Sequence, residues 1–589
     1  MLSFFRYLKP YWAQAILLVV AIGLQVWGTL ALPALMADIV NDSIATKNTS
    51  QIWNIGLMMF GFTIMAAVCA CLSSFFSARI GAALSRDIRQ DVYRKILSLS
   101  ISEIDNFSTA SLITRTTNDI AQVQQTLIMS LSMLLRAPIM AIGAIIGAID
   151  TAPDMTWIIV LAVGVMLVCI ITVMAIVIPK FELFQKLIDK ITLITRENLT
   201  GIRVVRAFNN QKLEYKKFKK ANDEITDVNI FINNLMSLEA PLMTLVFNGT
   251  SILCVWIGIS LLEKDISYLG DMMAFMQYAL QVIMAFLVLT IFFVMLPRAN
   301  VSARRIHEVL DIKPTIHWRK KTEGTPSLTP SVEFKDVTFS YPSAEAPVLN
   351  NISFAAKAGE TTAFIGSTGS GKTTLINLVP RFHDATSGEV IIDGLNVKKY
   401  SKDDLMQKIG YVPQRGLLFS GDINSNITFG NPSANASSVV KAASVSQAKE
   451  FIEKLPEKYG SSIAQGGHNV SGGQKQRLSI ARAIAKEPKI YIFDDSFSAL
   501  DMKTDKKLRK ELKTITEKSV VLVVAQRIST IKDAEQIIVL DQGKIVGKGN
   551  HLELLNKCKV YREINKSQLS EEEYTAEINI AKKLKKGVK

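Results

Sequence analysis

Two stretches of the chain carry groups that could do chemistry together. Residues 366–373 read GSTGSGKT, and residues 490–501 read IYIFDDSFSALD, an apolar run that ends in two adjacent carboxylates, Asp494 and Asp495. In the first stretch Gly366, Ser367, Thr368, Gly369, Ser370 and Gly371 can curl backbone N–H groups around phosphate oxygens. Lys372 can then reach the β and γ phosphates, and the Thr373 hydroxyl, followed by Thr374, suits a Mg²⁺ ion. Asp494, closing a buried strand, is the expected partner of that metal, so the implied ligands are ATP and Mg²⁺. The pattern arises by chance in long chains, but here a strand-like AFIG precedes it and a helix-like TTLINLV follows, which is the context it needs.

The elements that must hold these groups lie in the second half of the chain. From Val332 on, short β-rich runs (VEFKDVTFSY, TTAFIG, EVIIDG, KIGYVPQ, KIYIFDD, SVVLVVA, QIIVLDQGKIVG) alternate with helical segments. That alternation predicts an α/β domain over 332–566. Residues 313–331, rich in Pro, Thr and charge, predict a linker. Residues 567–589, with Lys582, Lys583, Lys585, Lys586 and Lys589, predict a charged C-terminal tail, either solvated or touching a membrane surface.

The first half, 1–312, reads as a membrane domain. The chain of 589 residues is 49% hydrophobic with a mean hydropathy of +0.24. Apolar runs long enough to cross a bilayer lie near 15–37, 55–76, 127–149, 155–178, 242–262 and 272–296. Six spans put both ends on one side. The long connections, Ser77 to Thr126 and Pro179 to Pro241, are rich in Lys and Arg, whereas the short ones hold only Lys47 and Lys264. By the positive-inside rule the long connections and both termini are cytoplasmic. Much of the net charge of +15 is thereby explained, and a nucleic-acid partner is not expected. Few Gly or Pro and a helical apolar spacing (Ile88, Val92, Ile96, Leu99) make the long connections helical arms. Two helices of about 20 residues each would reach some 30 Å into the cytosol. The five cysteines show no metal or disulfide spacing, and no cleaved signal peptide is expected at the N-terminus.

Further motifs fall in a fixed order. Tyr341 stands in VTFSYP before the glycine loop, Gln414 follows it in GYVPQ, and VSGGQKQRLSIARAI precedes FDDSFSALD. With six spans ahead, and with LITRTTND and ENLTGIRVVRAF in the arms, nearly the whole chain resembles a bacterial multidrug-type ABC exporter half. The resemblance implies a six-span helical membrane domain with long arms, then an α/β P-loop nucleotide-binding domain with a helical subdomain, in a bacterial plasma membrane. It implies that Tyr341 stacks on adenine and that Gln414 senses Mg²⁺ and the γ-phosphate. Ser471, Gly472, Gly473 and Gln474 open a helix whose N-terminus suits an anion, and the resemblance implies that they serve a second domain's nucleotide. Asp501 either links the two sites or merely caps a helix.

Two positions depart from the family pattern. Asp495 stands where the family has a glutamate that polarises water, which draws the carboxylate back by roughly 1.5 Å. Gln526, in VVAQRIST, stands where the family has a histidine, and a carboxamide carries no proton at neutral pH. The expectation is a slow, ATP-retaining site here and an intact SGGQ that completes the competent site of a second ABC half with normal Glu and His. Amphipathic drugs or lipids are the expected cargo. A homodimeric exporter, a peptide exporter and an ATP-gated channel or regulatory subunit stay open as alternatives. Gln277 and Gln281, one turn apart among Met272, Met273, Phe275, Met276, Met284 and Phe286, line a cavity or pack. Arg136, 14 residues before Asp150 and so about 21 Å along the helix, either snorkels, pairs or meets cargo.

Overall fold

Every apolar run is held in a long helix. The computed structural model describes residues 2–44, 46–262, 268–342 and 344–586, so Lys264 and Lys589 lie outside the described residues. Helices Trp12–Asp38, Thr49–Ser98, Thr156–Thr200, Glu239–Leu262 and Tyr268–Leu310 carry five of the runs. The remaining run passes from Asn118–Met129 through a π-helical turn, Ser130–Leu134, into Leu135–Thr151. Spans continue into the arms without a break: Thr49–Ser98 has 50 residues, about 75 Å, against about 30 Å of hydrocarbon. No proline interrupts that stretch.

The chain divides into two compact units, Met1–Leu97 with Ser108–Ile312, and Ser98–Phe107 with Lys313–Lys589. In the first, Phe275, Tyr278 and Val282 pack with Ala144, Ala148 and Ile158. Small residues let the helices approach: a Cβ on Gly147 would lie 2.7 Å from the Tyr278 ring. Met272 and Phe275 belong to this core, whereas Gln277 and Met284 are exposed. Gln281 Oε1 is buried without a hydrogen-bond partner, and Arg136 is exposed. In LITRTTND, Arg115 donates to Arg305 O at 2.7 Å and Glu308 Oε2 at 2.9 Å, while Asp119 accepts from Ser302 at 2.8 Å.

The second unit is built on two main sheets. The larger has the order 544–549, 536–541, 361–366, 520–524, 490–494, 409–412, parallel except for the first strand. Its inner strands, such as Ile490–Asp494 and Val520–Val524, are buried along their length, as apolar parallel strands require. A four-stranded antiparallel sheet holds Leu349–Lys357, Ser331–Phe339, Ser387–Ile392 and Leu395–Asn396. Residues 567–589, read above as a charged tail, include the helix Glu571–Lys586, whose Ala581 is buried in the domain core. Ile578 packs beside it, three residues earlier on the same face, which is why so charged a segment docks.

Candidate nucleotide site

Strand register assembles the site. The parallel strands end together: Val524 pairs with Asp494 and with Phe364, and Val412 pairs with Phe493. Residues one or two places beyond those ends must therefore meet, and they are Asp495, Gln526 and Gln414. The glycine loop leaves the end of Thr361–Gly366 and enters the helix Lys372–Asn377. Gly371 has φ +96 and a Cβ there would lie 2.8 Å from Leu349, so only glycine fits without strain.

Within the loop the Lys372 ammonium donates to Gly366 O (3.0 Å), Ser367 O (2.7 Å) and Ser370 Oγ (3.3 Å), curling the backbone around itself. Burial lowers its pKa, with Asp495 and Asp494 acting the other way. Thr373 Oγ1 donates to Asp494 Oδ1 at 3.0 Å. A hydroxyl and a carboxylate so close form the hard oxygen pair that Mg²⁺ favours, and the site fits that ion. Asp494 is pushed up from the usual carboxylate range, by burial first and then by like charge on Asp495, against the Thr373 bond.

Asp495 Oδ2 accepts from Gln526 Nε2 at 2.8 Å and from Gln414 Nε2 at 3.3 Å. Burial raises its pKa, opposed by Gln414, Ser498, Lys372 and Gln526. The carboxylate is thus held between two carboxamides, neither of which can take up a proton. Tyr341 presents a partly exposed ring and shares a 3.1 Å hydrogen bond with Thr374, so an aromatic platform sits beside the phosphate loop. Ser471 and Gln474 cap the helix Gly472–Ala485 reciprocally, with Ser471 N donating to Gln474 Oε1 at 2.8 Å. Among the described residues no hydrogen bond joins Ser471–Gln474 to Gly366–Thr374. Asp501 caps the helix Met502–Ile515 through Thr504 N at 2.9 Å. A Cβ on Gly473 would stand 3.4 Å from Ala499 O, which places the SGGQ turn beside the SALD loop.

Other supports are not evident from local sequence. Gln476 accepts from Gly416 N and donates to Pro413 O, clamping the Gln414 loop from both sides. His383 is buried between Tyr341 and Phe339 and shares a 2.9 Å hydrogen bond with Ser102. Gln568 holds the loop after Gln526. Each pair spans tens to hundreds of residues, beyond the reach of any periodicity.

Comparison with known proteins gives the family. Residues 15–286 match the ABC transporter transmembrane region and residues 349–498 match the ABC transporter family. An ABC transporter ATP-binding protein of Mycobacterium tuberculosis is 37% identical over 567 residues, 96% of this chain and 97% of the relative. The chain belongs to the ABC transporter family. Another such relative, YfiB of Bacillus subtilis, is 35% identical over 568 residues, covering 96% and 98% of the two chains. An ATP-dependent lipid A-core flippase of Desulfotalea psychrophila is 30% identical over 531 residues, covering 88% and 91%. The solved structure of a bacterial Atm1-family ABC exporter with ATP bound shares the fold at a TM-score of 0.80 and 24% identity, covering 96% and 99%. This ABC transporter chain is therefore an ATP-binding, multi-pass membrane protein with a cytoplasmic nucleotide-binding domain, and an ATPase coupled to transport.

Proposed function

We propose that this chain is one half of a heterodimeric ABC exporter that moves amphipathic drugs or lipids out of the cytoplasm or inner leaflet. Its own P-loop holds ATP and turns it over slowly, while Ser471–Gln474 complete the competent site of a second half that carries a glutamate and a histidine at the equivalent places. The observation that carries this reading is the state of Asp495, whose Oδ2 is engaged by the amides of Gln526 and Gln414. A general base must reach the proton it abstracts, and a short carboxylate already held by two amide donors is poorly placed for that. Thr373 and Asp494, with Gln414, would hold Mg²⁺, which supplies charge neutralisation at the transferring phosphoryl group when bound. Lys372 and the loop N–H groups hold the phosphates, and Tyr341 carries the adenine. Binding groups are complete and hydrolytic groups are weak. Lipid as cargo is supported by relatives named as lipid A-core flippases.

The test is a pair of substitutions in the full chain. Asp495→Glu with Gln526→His restores carboxylate length and a titratable group, and is expected to raise the steady-state ATPase of the purified chain about a hundredfold. Either substitution alone recovers much less, because the two groups act as a unit. An unchanged rate in the double variant, in particles whose mass shows two copies of the chain, would sink the reading of a hydrolytically weakened site.

A further inference from the structure

We propose that Gln568 is a positioning residue for the nucleotide site, clasping the backbone of the loop that carries Gln526. The proposal rests on the reading of Gln526 as a group that faces bound nucleotide. Gln568 ends the helix Lys559–Gln568, 42 residues beyond Gln526 in the chain. Its Nε2 donates to Gln526 O at 2.7 Å and its Oε1 accepts from Ile528 N at 2.8 Å. One planar amide therefore grips both sides of Arg527.

The loop needs such a grip. It runs from the strand Val520–Val524 into Ile528–Ile531, a helix of four residues whose N-cap, Arg527, makes no side-chain capping bond. The first N–H groups of any helix lack internal partners, and Gln568 supplies the partner for Ile528. On the far side of the loop Arg509 donates to Thr530 O at 3.1 Å. Gln526, fixed at its carbonyl, then directs its own Nε2 to Asp495 Oδ2 at 2.8 Å. Among the described residues no hydrogen bond joins Gln568 to Asp495 or to the glycine loop, so it acts through Gln526.

The clasp also joins the C-terminal helices to the site. Glu577, in Glu571–Lys586, accepts from Asn565 at 2.9 Å and lies 3.5 Å from His551 Nε2, and Asn556 donates to Ala581 O at 2.9 Å.

The test measures release of bound Mg-nucleotide from the full chain in lipid, by dilution into excess unlabelled ATP, with thermal unfolding in parallel. Gln568 is exposed, so its substitution removes two bonds without opening a cavity. Gln568→Ala and the volume-matched Gln568→Met are expected to speed release about three- to tenfold, the scale of one net hydrogen bond. Association rate and unfolding temperature stay at the parent values. Gln568→Glu keeps the acceptor for Ile528 but sets a carboxylate oxygen against Gln526 O, so its release is at least as fast as that of the alanine variant. Unchanged release in all three variants overturns the proposal, as does a fall in unfolding temperature with no change in release. Gln526→Ala, run beside them, separates the two readings. If it speeds release while the Gln568 variants do not, only the clasp is lost, and if it too changes nothing, the reading of Gln526 is lost with it.

Discussion

Asp494 and Asp495 are neighbours in sequence with different surroundings. Asp494 faces the Thr373 hydroxyl across 3.0 Å, and Asp495 turns to the two glutamines. In the proposed Mg²⁺ site, the Thr373 hydroxyl both orients Asp494 and offers an oxygen of its own. Thr373→Ala is expected to weaken Mg-dependent ATP binding at least about tenfold, while binding in the presence of a chelator changes little. Titration calorimetry with and without Mg²⁺ reads the difference, and equal losses in both would contradict the assignment. These residues were legible because each lies in a contiguous motif whose residue types are dictated by phosphate and metal chemistry. Gln476, His383 and Gln568 were not, because glutamine and histidine in helices or turns have no pattern that names a partner far along the chain. At this scale Asp501 is a helix cap, its carboxylate accepting from Thr504 N at 2.9 Å.

At the scale of elements, the nucleotide-binding unit buries two histidines. His383 is packed against Phe339 and Tyr341, with Asp105 and Glu103 as its charged neighbours. His551 lies against Tyr561, with Glu577, Lys532 and Asp533 nearby. Burial holds both below the ordinary value of 6.5, and the nearby acids offset it only in part. A histidine depressed in this way binds fewer protons folded than unfolded once the pH drops below about 6.5, so the folded state loses stability as pH falls. Asp494, Asp495 and Asp505, raised by burial, act in the opposite sense. The comparison is therefore made against His551→Gln. Between pH 7 and 5.5 the unfolding temperature of the parent is expected to fall more steeply than that of this variant, and parallel curves would contradict the assignment. The six spans were legible from apolar length, and the sheet from its β-rich runs. The helix Glu571–Lys586 was hidden because its lysines and glutamates dominate a short window, and only its contact with the core reveals the Ile578 and Ala581 face.

For the whole molecule, the consequence lies in what one chain holds and what it lacks. It has a glycine loop curled around Lys372, a Thr373–Asp494 hydrogen bond and a Tyr341 ring beside them, and separately a capped SGGQ turn that no hydrogen bond ties to that loop among the described residues. Two such chains can in principle close two sites, but both would contain Asp495 and Gln526. A different second half would leave one site of each kind, and differential affinity for ATP and ADP between closed and open states would drive the cycle. In the chain the unbroken helix Thr49–Ser98 leads directly into Ser98–Phe107, the segment grouped with the nucleotide-binding unit. The most direct test is the steady-state ATPase of the purified chain alone in lipid, with the mass of the particle determined in parallel. A folded chain that binds ATP with almost no turnover is the expected result. A homodimer turning over on the order of several ATP per second would contradict it, making Asp495 a competent catalytic residue and this chain a complete transporter.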